Sequence, residues 1–307
     1  MSFQGKLIAI AGPTASGKTD AAYALAEMYK ASIVSADCFQ SYKKLDIGTS
    51  KPPREMLEVV KHYMINEYEI TCPVNVYEYA KRSCEYIASI KGEVCIVTGG
   101  SGLYLDSIIY RNYEFSKENS DRNYREYLMK FVEERGADAL YDKLIEIDPE
   151  YAAKTHRNNV KRVMRAIEFN HETGKKMSQA ACEKVMRHVN TDYYGLYVDR
   201  AVLYERINKR VDRMVEEGLI DEVRSLYGEY NNRDLNAFKA IGYKEIISAI
   251  ENEISFDDAI ELIKKRSRNY AKRQYTWFNA DKNIKWIDAT RLSCEQIAEI
   301  IYGGENV

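Results

Sequence analysis

Residues 12–19 read Gly12-Pro13-Thr14-Ala15-Ser16-Gly17-Lys18-Thr19, the spacing G-x-x-x-x-G-K-[ST] of a phosphate-binding loop. Each residue type contributes to holding phosphate. The glycines let successive backbone N–H groups turn towards one anion, Lys18 adds a point charge, and Thr19 offers a hydroxyl to Mg²⁺. A compound carrying two or three phosphates is implied. A second reactive group, Asp37, ends the apolar run Ser32-Ile33-Val34-Ser35. Two roles are open for it: organising a metal, as acids at strand ends do in nucleotide hydrolases, or taking a proton as a general base. The segment after it, Cys38-Phe39-Gln40-Ser41-Tyr42, is polar and aromatic and suits a planar acceptor. The strongest apolar run, Val94-Cys95-Ile96-Val97, ends in Thr98 and two glycines instead of an acid, which argues against an ordinary ATPase.

These groups need a scaffold that brings distant loops together. Residues 6–11 read as a buried strand, and Ala21, Leu25, Met28 and Tyr29 fall at helical spacing over 20–30. Strands at 32–35 and 94–97, with helices at 76–90 and 103–110, repeat the strand–helix unit. The fold class is therefore α/β, a P-loop NTPase-like parallel sheet with flanking helices. In such sheets ligands bind outside the carboxyl ends of the strands, so 32–40 and 94–102 should face the phosphate loop. Residues 120–188 are charged and helix-forming, and 111–194 read as a helical insertion domain within a core domain of 1–110 and 195–307. A strand at 195–198, a helical stretch at 203–227 interrupted by Gly218, helices near 243–252 and 257–278, a strand at 284–287 and a helix from Ser293 complete the core.

The six cysteines make no C-x-x-C pair, which fits reduced thiols and disfavours a zinc site. No apolar run reaches membrane-span length, and the first strand begins without a signal-peptide pattern. A soluble cytoplasmic chain with no membrane partner is expected. The net charge of −2 conceals two basic segments, at 154–176 and 264–273, and the second carries or adjoins Tyr270, Tyr275 and Trp277. Together they suggest a groove for a polyanion.

The order and spacing of further motifs resemble the tRNA dimethylallyltransferases nearly end to end. The matching segments are the phosphate loop, Ser35 to Tyr42, Asp46 to Pro52, Gly99 to Tyr104, Asp148-Pro149 with Asn159 to Glu168, Leu203 to Arg210, Ala240 to Lys244, and Ala271 to Trp277. Two departures are mild. Cys38-Phe39 stands where the family commonly has Ser and a small or aliphatic residue, and Ser101 stands where it usually has Thr.

The resemblance implies transfer of a dimethylallyl group from dimethylallyl diphosphate to N6 of the adenine 3′ of the anticodon, by a monomer. The loop would then grip a leaving diphosphate. Asp37 would be the base, with Lys18, the N–H groups of residues 14–19, Mg²⁺ on Thr19 and Arg210 stabilising the diphosphate. Contacts to the tRNA anticodon stem-loop would come from Asp37, Cys38, Phe39, Gln40, Ser101, Arg125, Lys161, Arg162, Val163, Met164 and Arg165, and from Lys239, Ala240, Ile241, Gly242, Tyr243 and Lys244. The rival readings are an adenylate isopentenyltransferase acting on AMP or ATP, a P-loop small-molecule kinase, and a non-catalytic RNA-binding protein.

Overall fold

The computed structural model describes residues 3–111, 122–180 and 184–304. Six strands, β1 (Lys6–Ala11), β2 (Ser32–Ser35), β3 (His62–Tyr63), β4 (Val94–Gly99), β5 (Thr191–Tyr197) and β6 (Lys285–Asp288), form one sheet in the order β3-β2-β4-β1-β5-β6. Every pairing is parallel. The central strands are apolar without alternation because helices cover both faces, and β4 is buried at every residue.

The helices of this part are α1 (Lys18–Tyr29), α2 (Arg54–Val59), α3 (Val76–Ser89) and α4 (Gly102–Ile109). Four more, α5 (Arg122–Ile147), α6 (Pro149–Ala153), α7 (Val160–Thr173) and α8 (Met177–Ala180), follow before β5. The remainder are α9 (Arg200–Glu216), α10 (Leu219–Tyr230), α11 (Tyr243–Ile250), α12 (Phe256–Phe278) and α13 (Cys294–Gly303). The chain divides into two compact units, Met1–Ile109 with His188–Val307, and Tyr110–Arg187. In the smaller unit, α5 to α7 bury Leu128, Leu140, Leu144, Val163 and Ile167 together. α5 is interrupted at Gly136, whose φ of 84° and ψ of 169° suit only glycine. Parts of the expected insertion, residues 112–121 and 181–183 with Cys182, lie outside the described residues.

In the larger unit one core packs α1, α9 and α13 against β1 and β5 through Leu25, Ile207, Ile297 and Leu196. A second packs α9 to α12 against the loop after β2, through Tyr42, Leu45, Val211, Phe238 and Tyr243. The interruption expected at Gly218 is a helix break: its φ of 101° caps α10 and separates it from α9.

Two sheet details differ from expectation. β5 begins at Thr191, not Gly195, because Leu7 to Ala11 pair with Thr191 to Gly195. Its early residues carry little apolar signal; Asp192 instead pairs with Lys6 at 2.8 Å and Lys285 at 2.5 Å. β3 is only two residues long and half-buried, too short for any periodic pattern. Among the described residues no helix is long and apolar enough to cross a membrane.

Candidate active site

The phosphate loop closes between β1 and α1 at the carboxyl end of the sheet. Gly17 takes φ 86° and Ala15 takes φ 63°, so the smallest side chain with a Cβ sits at a left-handed position. The loop's N–H groups do not all face a ligand. Thr14 donates to Oε1 of Gln274 at 2.9 Å, and Ser16 donates to the Pro13 carbonyl at 3.3 Å. The amides of Ala15, Gly17, Lys18 and Thr19 have no protein acceptor among the described residues. Of the amides from 14 to 19 expected to hold phosphate, those of 14 and 16 donate within the protein in this structure.

Lys18 extends into a small cavity of about 70 Å³ beside Thr19, Asp37, Thr98, Arg210 and Gln274. Its ammonium donates to the Pro13 carbonyl at 3.3 Å. Burial pushes the Lys18 pKa down to about 8, Arg210 pushes the same way, and Asp37 and Asp20 oppose them. Arg210, from α9, is also lowered by burial. Two cations thus converge where an anion is needed. Thr98, at the strand end where an ATPase would carry an acid, donates its hydroxyl to the Ile10 carbonyl at 3.1 Å. Among the described residues no three His, Cys, Asp or Glu side chains could hold a metal together.

Asp37 is held by its backbone neighbours. Oδ1 accepts the Phe39 N–H at 3.0 Å, and the Asp37 N–H donates to Ser35 Oγ at 3.3 Å. Tyr79 donates to the Ser35 carbonyl at 2.8 Å and anchors the strand end. Nothing among the described residues donates to Oδ2, which is left for a ligand. A second cavity of about 470 Å³ adjoins the first and is lined by Cys38, Phe39, Ser101, Tyr104, Met214 and Trp277. Thr14, Asp37, Arg210 and Tyr270 line both, so Asp37 stands at the junction of a cationic cavity and an aromatic one. Lys18, Thr19 and Arg210 also line a third, wider cavity of about 990 Å³ with Arg206, Lys209 and Arg213. On the aromatic side of Asp37 the thiol and phenols stay protonated: burial pushes the Cys38 thiol up to about 12, and burial raises Tyr104 and Tyr270 as well.

The other expected contacts separate into surface and scaffold. Lys239, Ala240, Ile241 and Lys244 line the second cavity. Gly242 caps α11, and its N–H donates to Glu245 at 2.7 Å. Tyr243 is fully buried, so its side chain is no RNA contact; its hydroxyl donates to Glu222 at 2.5 Å. Glu222 also accepts the N–H groups of Asp46, Ile47 and Gly48 at 3.1, 2.8 and 3.1 Å. Gln40 is buried, donating to the Thr49 and Ser50 carbonyls at 3.2 and 3.1 Å.

In the smaller unit, Lys161 and Arg162 are exposed on α7, while Val163 and Met164 are buried in its core. Those two side chains hold the helix and offer no surface to a ligand. Arg125 and Arg165 lie 3.5 and 3.9 Å from the buried carboxylate of Glu168. The basic run at 264–273 is partly neutralised within the protein. Lys264 pairs with Asp212 at 2.7 Å, Arg266 with Glu245, and Arg268 donates to Asn208 at 2.6 Å. Arg273 remains on the second cavity.

Sequence reasoning assigned no role to Gln274 or Glu222 and noted Tyr270 only as an aromatic in a basic segment. Tyr270 and Gln274 are four apart on α12 and share a face, a spacing that becomes informative once the helix is known to cross the site.

Comparison with known proteins follows the same lines. The model of the IPP transferase family matches residues 40–281. The chain belongs to the IPP transferase family. It is 44% identical over 289 residues to a tRNA dimethylallyltransferase of Geobacillus thermodenitrificans, covering 93% of this chain and 91% of that protein. It is 43% identical over 288 residues to one from Clostridioides difficile, covering 92% and 91%. The crystal structure of the full-length tRNA isopentenylpyrophosphate transferase from Bacillus halodurans matches with a TM-score of 0.72 at 38% identity, over 98% of this chain and 96% of that one. A eukaryotic dimethylallyltransferase acting on tRNA matches with a TM-score of 0.85 at 29% identity, over 99% and 80%.

Proposed function

We propose that this member of the IPP transferase family moves a dimethylallyl group from dimethylallyl diphosphate to N6 of the adenine 3′ of the anticodon in tRNA, releasing diphosphate. The observation that carries this reading is the position of Asp37, with one carboxylate oxygen unengaged, at the junction of the cationic and aromatic cavities.

The chemistry needs that junction. The N6 lone pair is delocalised into the adenine ring, so attack on the allylic carbon requires removal of an N6 proton as the bond forms. Asp37 takes that proton. The new bond joins N6 to C1 of the prenyl group, and the C1–O bond breaks with its electron pair going to the diphosphate. Lys18, Arg210 and the free amides of Ala15, Gly17, Lys18 and Thr19 receive the developing charge. Tyr270 and the aromatic wall of the second cavity suit a base drawn out of its stack. On the smaller unit, Lys161, Arg162, Arg125 and Arg165 suit phosphates of the RNA and position it.

Magnesium fits the donor set. Mg²⁺ takes one or two protein oxygens and completes its shell with phosphate oxygens and water; the Thr19 hydroxyl lines the cavity that holds Lys18 and Arg210. When bound there, the ion would neutralise charge on the diphosphate. The test offers labelled dimethylallyl diphosphate with bulk tRNA, AMP and ATP in separate reactions. Label should enter tRNA alone; label in AMP and none in tRNA would overturn the reading in favour of the free nucleotide.

A further inference from the structure

Tyr270 carries a hydroxyl that the transfer step leaves without a task. The phenol is half-buried, and the Arg273 guanidinium lies over its ring, 5.5 Å from the centroid. Among the described residues the one hydrogen-bond partner of the hydroxyl is Ser101 Oγ, at a long 3.5 Å. That distance is at the limit of a hydrogen bond and leaves most of the donor's strength unused. Burial and then the Asp37 charge raise the phenol's pKa, so the proton stays on oxygen and the group donates. Thr14, Asp37, Arg210 and Tyr270 line both the cationic and the aromatic cavity, whereas Ser101, Cys38 and Tyr104 line the second alone. Of those four, Thr14 belongs to the phosphate loop and Arg210 serves the diphosphate. Tyr270 is the neutral donor that remains beside Asp37.

We propose that the Tyr270 hydroxyl donates a hydrogen bond to the ring nitrogen beside N6 of the acceptor adenine, N1 or N7, while Asp37 accepts from N6. The inference rests on the transfer reading above and adds the group that recognises the acceptor. Each N6 proton of adenine has a ring acceptor next to it, N1 on one edge and N7 on the other. A protein acceptor and a protein donor side by side match that pattern. Asp37 supplies the acceptor through its unengaged Oδ2, and Tyr270 supplies the donor.

The bond would do more than orient the base. Drawing electron density towards the ring nitrogen makes the N6 protons more acidic, which eases removal of one by Asp37 as the N6–C1 bond forms. Guanine breaks the pattern, because its O6 would set lone pairs against the Asp37 carboxylate with no proton between them. A phenylalanine at 270 would keep the ring and leave the ring nitrogen of a desolvated adenine unpaired.

The test measures prenyl transfer by the full-length chain to anticodon stem-loops carrying adenosine, 1-deazaadenosine or 7-deazaadenosine at the acceptor position. Each deaza base replaces one ring nitrogen by C–H. Tyr270→Phe should lower kcat/KM about tenfold on adenosine, the scale of one buried hydrogen bond. On the deaza base that lacks the partner nitrogen, the same substitution should cost less than about twofold. Comparing the two chains on one substrate cancels any intrinsic change in N6 reactivity. The melting temperature reports that the variant folds; if it does not, Tyr270→Leu, which also lacks the hydroxyl, takes its place. An equal loss on all three substrates would mean a structural role and overturn the proposal, as would no loss on adenosine. If the wild-type chain transfers nothing to the adenosine stem-loop, the transferase reading fails instead. The same ratios are then read from equilibrium affinities for the three stem-loops, and equal ratios there overturn the hydrogen bond.

Discussion

Lys18 and Arg210 line one cavity, and after burial the guanidinium is the main cause holding the lysine's pKa near 8. The free site therefore titrates close to neutrality. A lysine lowered from 10.5 to about 8 keeps its charge below pH 8 and loses it as pH rises through that value. At limiting dimethylallyl diphosphate, kcat/KM should fall above about pH 8, and saturating donor should suppress the fall because the bound anion restores the proton. Lys18→Met should lower kcat/KM by about 10²–10³. It should also melt higher at pH 7, since it removes a charge held against burial and Arg210. A pH profile and a melting curve read both.

Asp37→Asn retains the Phe39 contact and removes the base. The expected loss is about 10²–10⁴ in single-turnover rate with tRNA affinity little changed. Filter binding alongside the rate separates the two. Loss of Mg²⁺ binding with the rate restored by high Mg²⁺ would instead assign Asp37 to the metal.

Gly99→Ala tests how Asp37 is placed. A Cβ at Gly99 would lie 2.4 Å from the Ala36 carbonyl oxygen, and backbone must move to admit it. The cost should be about 1–3 kcal/mol in unfolding free energy. The strand end carrying Asp37 shifts with it, so kcat should fall more than donor KM rises.

Glu222→Ala removes the acceptor shared by the Asp46, Ile47 and Gly48 amides and by Tyr243. With the site partly open to water, a loss of about 2 kcal/mol is expected. Denaturant unfolding measures it. Tyr243→Phe should cost less, since three of the four donors keep their carboxylate.

Binding of tRNA should weaken steeply with salt. Lys161→Ala and Arg162→Ala should each lower the slope of log affinity against log salt by about 0.7–0.9 if each side chain holds one phosphate. Equilibrium binding between low and physiological salt reads the slope. Substituting Val163 should instead lower stability, because its side chain lies in the core of α5 to α7.

Much of the site was legible because it is local. The loop 12–19 is a contiguous motif, and Asp37 ends a short apolar strand, so residue type and neighbours were enough to nominate both. Tyr243 misled because it shares a contiguous segment with cavity-lining residues, while its ring turns inward against Gly48. The basic run on α12 misled for a related reason: helical spacing puts Lys264 against Asp212 and Arg266 against Glu245, and those acids lie on other elements.

From the sequence alone came a phosphate loop, the strand–helix order that presents it, and an acid near it, because each depends on hydrogen bonds and periodicities within a few residues. Tertiary structure alone decided which loop amides remain free. The contact that removes Thr14 from that set joins residues 260 positions apart. Neither a propensity nor a period links such a pair; only the packing of α12 across the carboxyl end of the sheet brings Gln274 to the loop.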